Sequence, residues 1–253
     1  MYVACSTLCF GKLSLDEALR VIREMHFAKA DLALHEPGPH LRPSEVAADV
    51  TRVAQKLKTA NLPFAAFHLD LSAADGADAC GRLKAICRLA RLLAVPILTV
   101  PAAPQGSDLV AETTRLREWT TVAAAEGVIL TVETHTETLT ADPLGAVELC
   151  RRVPGLGLTL DPSHYHVGPN GSANYDPLFP FVRHVRLRDS GRTPDQFQVR
   201  VGQGEIEYGR IITQLARFRY DRAMTVDVWD VPDGPFPVEP EVRKLKYLLE
   251  SLA

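Results

Sequence analysis

Residues 128–161 read VILTVETHTETLTADPLGAVELCRRVPGLGLTLD. An apolar run, Ile129–Glu133, closes on a carboxylate, a helical pattern follows over 142–152, and a second apolar run, Gly157–Asp161, closes on another carboxylate. Short apolar runs separated by amphipathic helical stretches are the signature of βα units feeding a parallel sheet. The same alternation extends both ways. Upstream it gives strands at Tyr2–Cys5, Ala30–Leu34, Phe64–Leu69 and Ile97–Val100, and downstream at His184–Leu187 and Ala223–Val228. The other helical patterns lie near 14–25, 43–60, 76–94, 107–126, 174–181, 207–218 and 239–252. Ser14 and Glu17 form a capping-box pattern at the first helix, and Pro43 suits the first turn of the second.

Eight strands alternating with eight helices, without a linker, predict a single (β/α)8 TIM barrel over residues 1–253. A doubly wound sheet would need a glycine-rich phosphate loop after an early strand. Gly11 stands alone there, and Gly202 and Gly204 come too late in the chain, so no nucleotide cofactor is expected. Long stretches follow strands six, seven and eight, at 162–173, 190–203 and 230–240, and are read as irregular loops over the C-terminal mouth.

The composition, 46% hydrophobic and 23% charged, suffices for a full core. A net charge of −3 with scattered Lys and Arg offers no basic stripe for nucleic acid. Five cysteines without a CxxC pair read as buried thiols of a reducing compartment. With no signal-peptide pattern and no long apolar span, the expectation is a cytoplasmic protein without membrane contact.

Glu133, Asp161 and Asp227 close strand runs five, six and eight, and Arg186 stands in run seven. Side chains alternate along a strand, so Thr131, Glu133 and His135 share a face, as do Thr159 and Asp161, then His184, Arg186 and Arg188, then Thr225, Asp227 and Trp229. One such carboxylate could merely end a strand or cap a helix. Three on neighbouring units point to a divalent-metal or acid/base site. His164, three residues beyond Asp161, can reach the same place.

At these residues the chain resembles the xylose-isomerase-like TIM barrels. That superfamily includes sugar phosphate isomerases and epimerases, hydroxypyruvate isomerase, inosose dehydratase, tagatose and allulose epimerases and the apurinic endonucleases. The resemblance rests on TVETH at 131–135, LDPSH at 160–164, HVRLRD at 184–189, VGQGEI at 201–206 and TVD at 225–227, and it covers nearly the whole chain. It implies a divalent metal (Mn, Mg or Zn) held by Glu, Asp, His and Glu from strands five to eight, the two Glu also serving as acid/base groups. Glu133 and Asp161 match, Asp227 stands for the second Glu, and Arg186 stands where the His would be. An arginine cannot ligate a cation, but its five donors suit carboxylates. Two arrangements stay open. Either the guanidinium takes part of the metal's place, or Glu133, Asp161 and Asp227 hold the metal with water while Arg186 turns to substrate.

The expected function is an isomerase or epimerase of a sugar, sugar phosphate or small hydroxy-carbonyl compound, acting by proton transfer. Glu133, Asp227 and His164 are its expected catalytic residues, with His68, Arg186, Arg188 and Trp229 contacting a carbohydrate-like substrate. A metal-free ligand-binding barrel is the alternative. An apurinic endonuclease would need a richer His and Asp set and a basic groove. Blander expectations are a core role for His184, outer-layer packing for Trp119 and a tight turn at Gly202 and Gly204. His135 is read as either mouth or outward, Trp229 as sugar platform or plug, and Arg188 and Asp189 as ion pair or substrate contacts.

Overall fold

Eight parallel strands pair in chain order and the last closes on the first. They are β1 (Tyr2–Ser6), β2 (Lys29–His35), β3 (Phe64–Asp70), β4 (Ile97–Val100), β5 (Ile129–Glu133), β6 (Gly157–Leu160), β7 (Val182–Leu187) and β8 (Ala223–Val226). Around them run α1 (Leu15–Glu24), α2 (Pro43–Ala48), α3 (Val50–Thr59), α4 (Gly76–Leu92), α5 (Leu109–Ala125), α6 (Pro143–Arg152), α7 (Pro162–Val167), α8 (Tyr208–Arg217) and α9 (Val238–Leu252). This computed structural model describes residues 1–71, 76–169, 174–232 and 234–253. Among them, no helix is long and apolar enough to cross a membrane.

Local chemistry sets the element ends. Ser14 and Glu17 make the full capping box at α1, which buries Leu15, Ala18, Leu19 and Ile22 on one stripe. Each large aliphatic side chain so buried contributes about 1.5–3 kcal/mol. The helix expected over 43–60 is two helices. Asp49 leaves the helical conformation (φ −157°, ψ 88°) and caps α3 by accepting from Arg52 N. The 174–181 pattern is a 3-10 segment, Asp176–Phe181, with Pro180 inside it. The stretch after strand six is not wholly irregular. Pro162 occupies the first turn of α7 and Asp161 caps it by accepting from Ser163 N at 2.9 Å. Residues 170–173 of that stretch lie outside the described ones.

Inside the barrel the layer below the mouth is polar. Thr99, Thr131 and Thr159, on β4, β5 and β6, bond one another at 2.8–3.0 Å. His184 on β7 meets Asp31 on β2 at 2.9 Å, so it is the core histidine expected. Trp119 packs in the outer layer under the Arg115 guanidinium, 4.2 Å from its ring centre. Cys5, Cys9, Cys87 and Cys150 are buried free thiols, and Cys80 is partly exposed.

Candidate active site

The alternation along β5–β8 carries Glu133, Asp161, Arg186 and Asp227 to the mouth, one layer above the threonines and His184. Arg186 crosses the barrel there. Its Nη1 donates to Glu133 Oε1 at 3.2 Å, and its Nη2 donates to Asp227 Oδ1 at 2.8 Å and to Ser6 Oγ at 3.3 Å. Its Nε stands 3.8 Å from Asp31 Oδ2. Arg188 lies beside it, its Nη2 donating to Asp161 Oδ2 at 2.8 Å and to Asp227 Oδ2 at 2.5 Å. Trp229 Nε1 adds a bond to Asp227 Oδ2 at 2.9 Å. Of the two readings of Arg188 and Asp189, the ion pair between them does not form. Asp189 instead accepts from Gly202 N and Gly204 N at 2.7 and 3.0 Å. Gly202 has φ +90°, a left-handed conformation that glycine adopts without strain.

Charge regulation follows from these pairs. Burial pushes the Asp227 carboxyl up, but Arg186 and Arg188 outweigh it and leave the group below its usual range. At Asp161 burial prevails over Arg188, so its pKa is raised. Burial also opposes the charge on Arg186, and Asp227, Glu133 and Asp31 overcome it, so the guanidinium holds its proton more tightly than usual. A buried ion pair of this kind persists only where its donors and acceptors are matched.

Above this layer opens a cleft of about 630 Å³, within the usual size for small-molecule sites. Glu133, 8% exposed, lines it, whereas Asp161 and Asp227 are 0% exposed and do not. Arg186 and Arg188, at 1% and 0%, do not line it either. The expected second acid/base, Asp227, therefore faces two guanidiniums rather than the cleft.

Four histidines line the cleft with Glu133: His35, His68, His135 and His164. His68 Nε2 lies 3.1 Å from Glu133 Oε2, and His68 Nδ1 lies 2.9 Å from His35 Nε2. Which ring nitrogen donates in the His68–His35 bond depends on the tautomer. Burial, then the charges of His68 and Arg186, lower His35 to about 3, so it is neutral at physiological pH. Burial also raises Glu133, but His68 and Arg186 hold it well below the usual carboxylate range, so it stays ionised. His164 sits on α7 with its ring 4.0 Å from that of His135 and 4.8 Å from Phe197. Burial and the neighbouring His135 keep it well below its usual pKa, hence neutral.

Trp229 lines the cleft while Gln198 clasps its backbone. Gln198 Nε2 donates to Trp229 O at 3.0 Å and Trp229 N donates to Gln198 Oε1 at 2.6 Å. Phe197 and Trp229 cover Arg188, at 4.6 and 4.4 Å from ring centre to guanidinium. His35, Asp31, Phe197 and Gln198 were not among the residues singled out from sequence. The rule that marks Glu133, a polar residue closing a strand on its inward face, also marks His35 at the end of β2. Phe197 and Gln198 lie in an irregular loop whose partners are set only in three dimensions.

The residues present do not fit the divalent ion that the resemblance implies. Guanidinium N–H groups sit on Glu133, Asp161 and Asp227, and a guanidinium is not a ligand. Among the described residues no group of three His, Cys, Asp or Glu is arranged to hold an ion. Of the two arrangements left open by the sequence, the geometry is that of arginines among carboxylates.

Comparison with known proteins follows the same lines. A 3-keto-D-glucoside 4-epimerase, YcjR, from E. coli superposes with a TM-score of 0.74 at 14% identity, over 99% of each chain. A xylose isomerase-like TIM barrel protein from Mycobacterium smegmatis, in complex with magnesium, gives 0.75 at 18%, over 100% of this chain and 98% of that one. The probable 3-DHS dehydratase AsbF from Bacillus anthracis gives 0.73 at 18%, over 97% and 98%. At such identities the likeness is one of fold. No curated protein matches the sequence significantly. The family described as xylose isomerase-like TIM barrel matches residues 14–250. By that match, which spans nearly the whole sequence, the chain belongs to the xylose isomerase-like TIM barrel family.

Proposed function

We propose that the protein is an isomerase or epimerase of a sugar or related small hydroxy-carbonyl compound, acting by proton transfer at the carbon beside a carbonyl. The observation that carries the reading is Glu133. Of Glu133, Asp161 and Asp227 it is the one that lines the cleft, and it is kept ionised and aimed by Arg186 behind it and His68 beside it. The two neighbours named for their reactions, an epimerase and a dehydratase, are compatible with such chemistry.

A carboxylate with so low a proton affinity is a weak base. It can remove a proton only from a carbon made acidic by an adjoining, polarised carbonyl. His164 and His135, neighbours in the cleft, are the N–H groups available to polarise that oxygen, and the protonated Glu133 can return its proton to the adjoining carbon. In this reading Arg186 and Arg188 are positioning residues. They hold Glu133, Asp161 and Asp227 in place and do not touch substrate. No step is assigned to a metal ion, because the donor set is engaged by arginine.

The test is proton exchange. Incubation with a panel of ketoses in D2O should wash deuterium into the carbon beside the carbonyl, followed by NMR. Glu133→Gln should lower the rate by about 10²–10⁴-fold, the usual worth of a general base. An active Gln variant, or a panel without any exchange, would remove the reading. The second outcome would favour a ligand-binding barrel, to which the weak basicity of Glu133 also points.

A further inference from the structure

We infer that the cleft takes an uncharged polyhydroxy ligand and rejects its phosphorylated or carboxylated counterpart. This rests on the cleft being the substrate site proposed above. Apart from its four histidines, the ionisable side chains lining it among the described residues are all carboxylates: Asp70, Glu133 and Asp230. Lys12 reaches Asp230 at 2.8 Å and is paired with it. His35 and His164 are uncharged and can only donate or accept single hydrogen bonds. An anionic group entering this space finds carboxylates among the described lining residues and no guanidinium free to receive it.

The arginines do not remedy this. Arg186 is bonded to Glu133, Asp227 and Ser6, and Arg188 to Asp161 and Asp227 beneath the rings of Phe197 and Trp229. Freeing either for an anion would strand a buried carboxylate. Nor, among the described residues, do the turn after β7 and the start of α7 offer a backbone cradle. In many barrels the loops after strands seven and eight bind phosphate through amide groups. Here the glycine turn after β7 has its amides filled from within, since Gly202 N and Gly204 N both donate to Asp189 Oδ2. The N-terminus of α7 is likewise capped by Asp161.

Residues outside the described set cannot supply the missing cation. By sequence they are Ser72, Ala73, Ala74, Asp75, Asn170, Gly171, Ser172, Ala173 and Asp233. None is basic and two are acidic, whatever positions they take. What remains suits a neutral polyol. Proline and tryptophan faces (Pro37, Pro39, Pro101 and Trp229) meet C–H surfaces, and histidines with Glu133 meet hydroxyls.

The experiment is a binding ladder on the intact protein, read by calorimetry or ligand-observed NMR. The probes are xylitol, xylitol 5-phosphate and 1-amino-1-deoxyxylitol at pH 7. The neutral probe should bind, and the phosphate should bind at least about tenfold more weakly, with the gap shrinking in high salt. Asp230→Asn, which frees Lys12, should raise the affinity for the phosphate relative to the neutral probe. Phosphate binding as tight as xylitol, failure of all three probes, or a gap that Asp230→Asn leaves unaltered would each overturn the inference. Turnover is not needed. Xylitol bound without any ketose exchange would sink the proposed reaction alone, whereas exchange confined to a sugar phosphate would sink this inference alone.

Discussion

On the β6–β8 side of the mouth, Asp161 and Asp227 are fully buried, each bonded to a guanidinium, and lidded by Phe197 and Trp229. On the β2–β5 side, His35, His68 and Glu133 form a hydrogen-bonded file that opens on the cleft. Both sides hold carboxylates at strand ends, yet one set is neutralised from within and the other is left one group from solvent. Position at a barrel mouth thus does not suffice for chemistry. What separates the two is where the counter-charge comes from, and whether it leaves a lone pair facing the cavity.

Breaking the closed side should have the largest effect. Arg186→Met leaves Glu133, Asp227 and Asp31 short of a buried positive partner, which should cost about 3–5 kcal/mol of stability. Urea denaturation measures it, and a loss below about 1 kcal/mol would mean that the guanidinium is not holding that side together.

Acid should act next, and mostly through the open side. His35 titrates at about 3 when folded, against an ordinary value of 6.5. The unfolded chain therefore binds more protons in that window, and stability should fall as pH drops from about 6.5 toward about 3. Glu133 and Asp227, both depressed, contribute stability that is present above their unfolded pKa and lost as pH falls through the folded one. Asp161, raised, opposes this. Urea midpoints at pH 7, 5.5 and 4.5 should decline in that order, and a flat series would contradict the burial of neutral His35.

His35→Gln sharpens the comparison further. It should lessen that acid sensitivity and, by removing one hydrogen bond from the file, slow exchange by up to about tenfold without abolishing it. A loss as large as that of Glu133→Gln would make His35 a direct participant. Smallest should be Trp229→Phe. It keeps a ring over Arg188 but deletes the bond to Asp227, for about 1–2 kcal/mol of stability, read as a shifted urea midpoint.

The barrel was legible because its signals are local and repeated: period-two apolar runs, a capping box at Ser14, prolines at helix starts. The convergence of Glu133, Asp161, Arg186 and Asp227 was legible for the same reason, since inward alternation carries them to one end. Which carboxylate stays accessible was not. That depends on Arg186 reaching from β7 past β8 to Ser6 on β1 and across to Glu133 on β5, and on Gln198 clasping Trp229, contacts between residues far apart in sequence. Periodicity fixes a side chain's direction but not the neighbour that will neutralise it. The break at Asp49 escaped because α2 and α3 share one continuous amphipathic pattern.

Asp227 joined to both Arg186 and Arg188 has a consequence for descent. Restoring a histidine at 186 alone would take a guanidinium from buried anions. Restoring a glutamate at 227 alone would push a longer side chain into two arginines already at bonding distance. Each single step leads through a less stable protein, so a lineage that acquired both changes would be held there as by a ratchet. Only a simultaneous exchange, or a prior gain in stability elsewhere, would let it return.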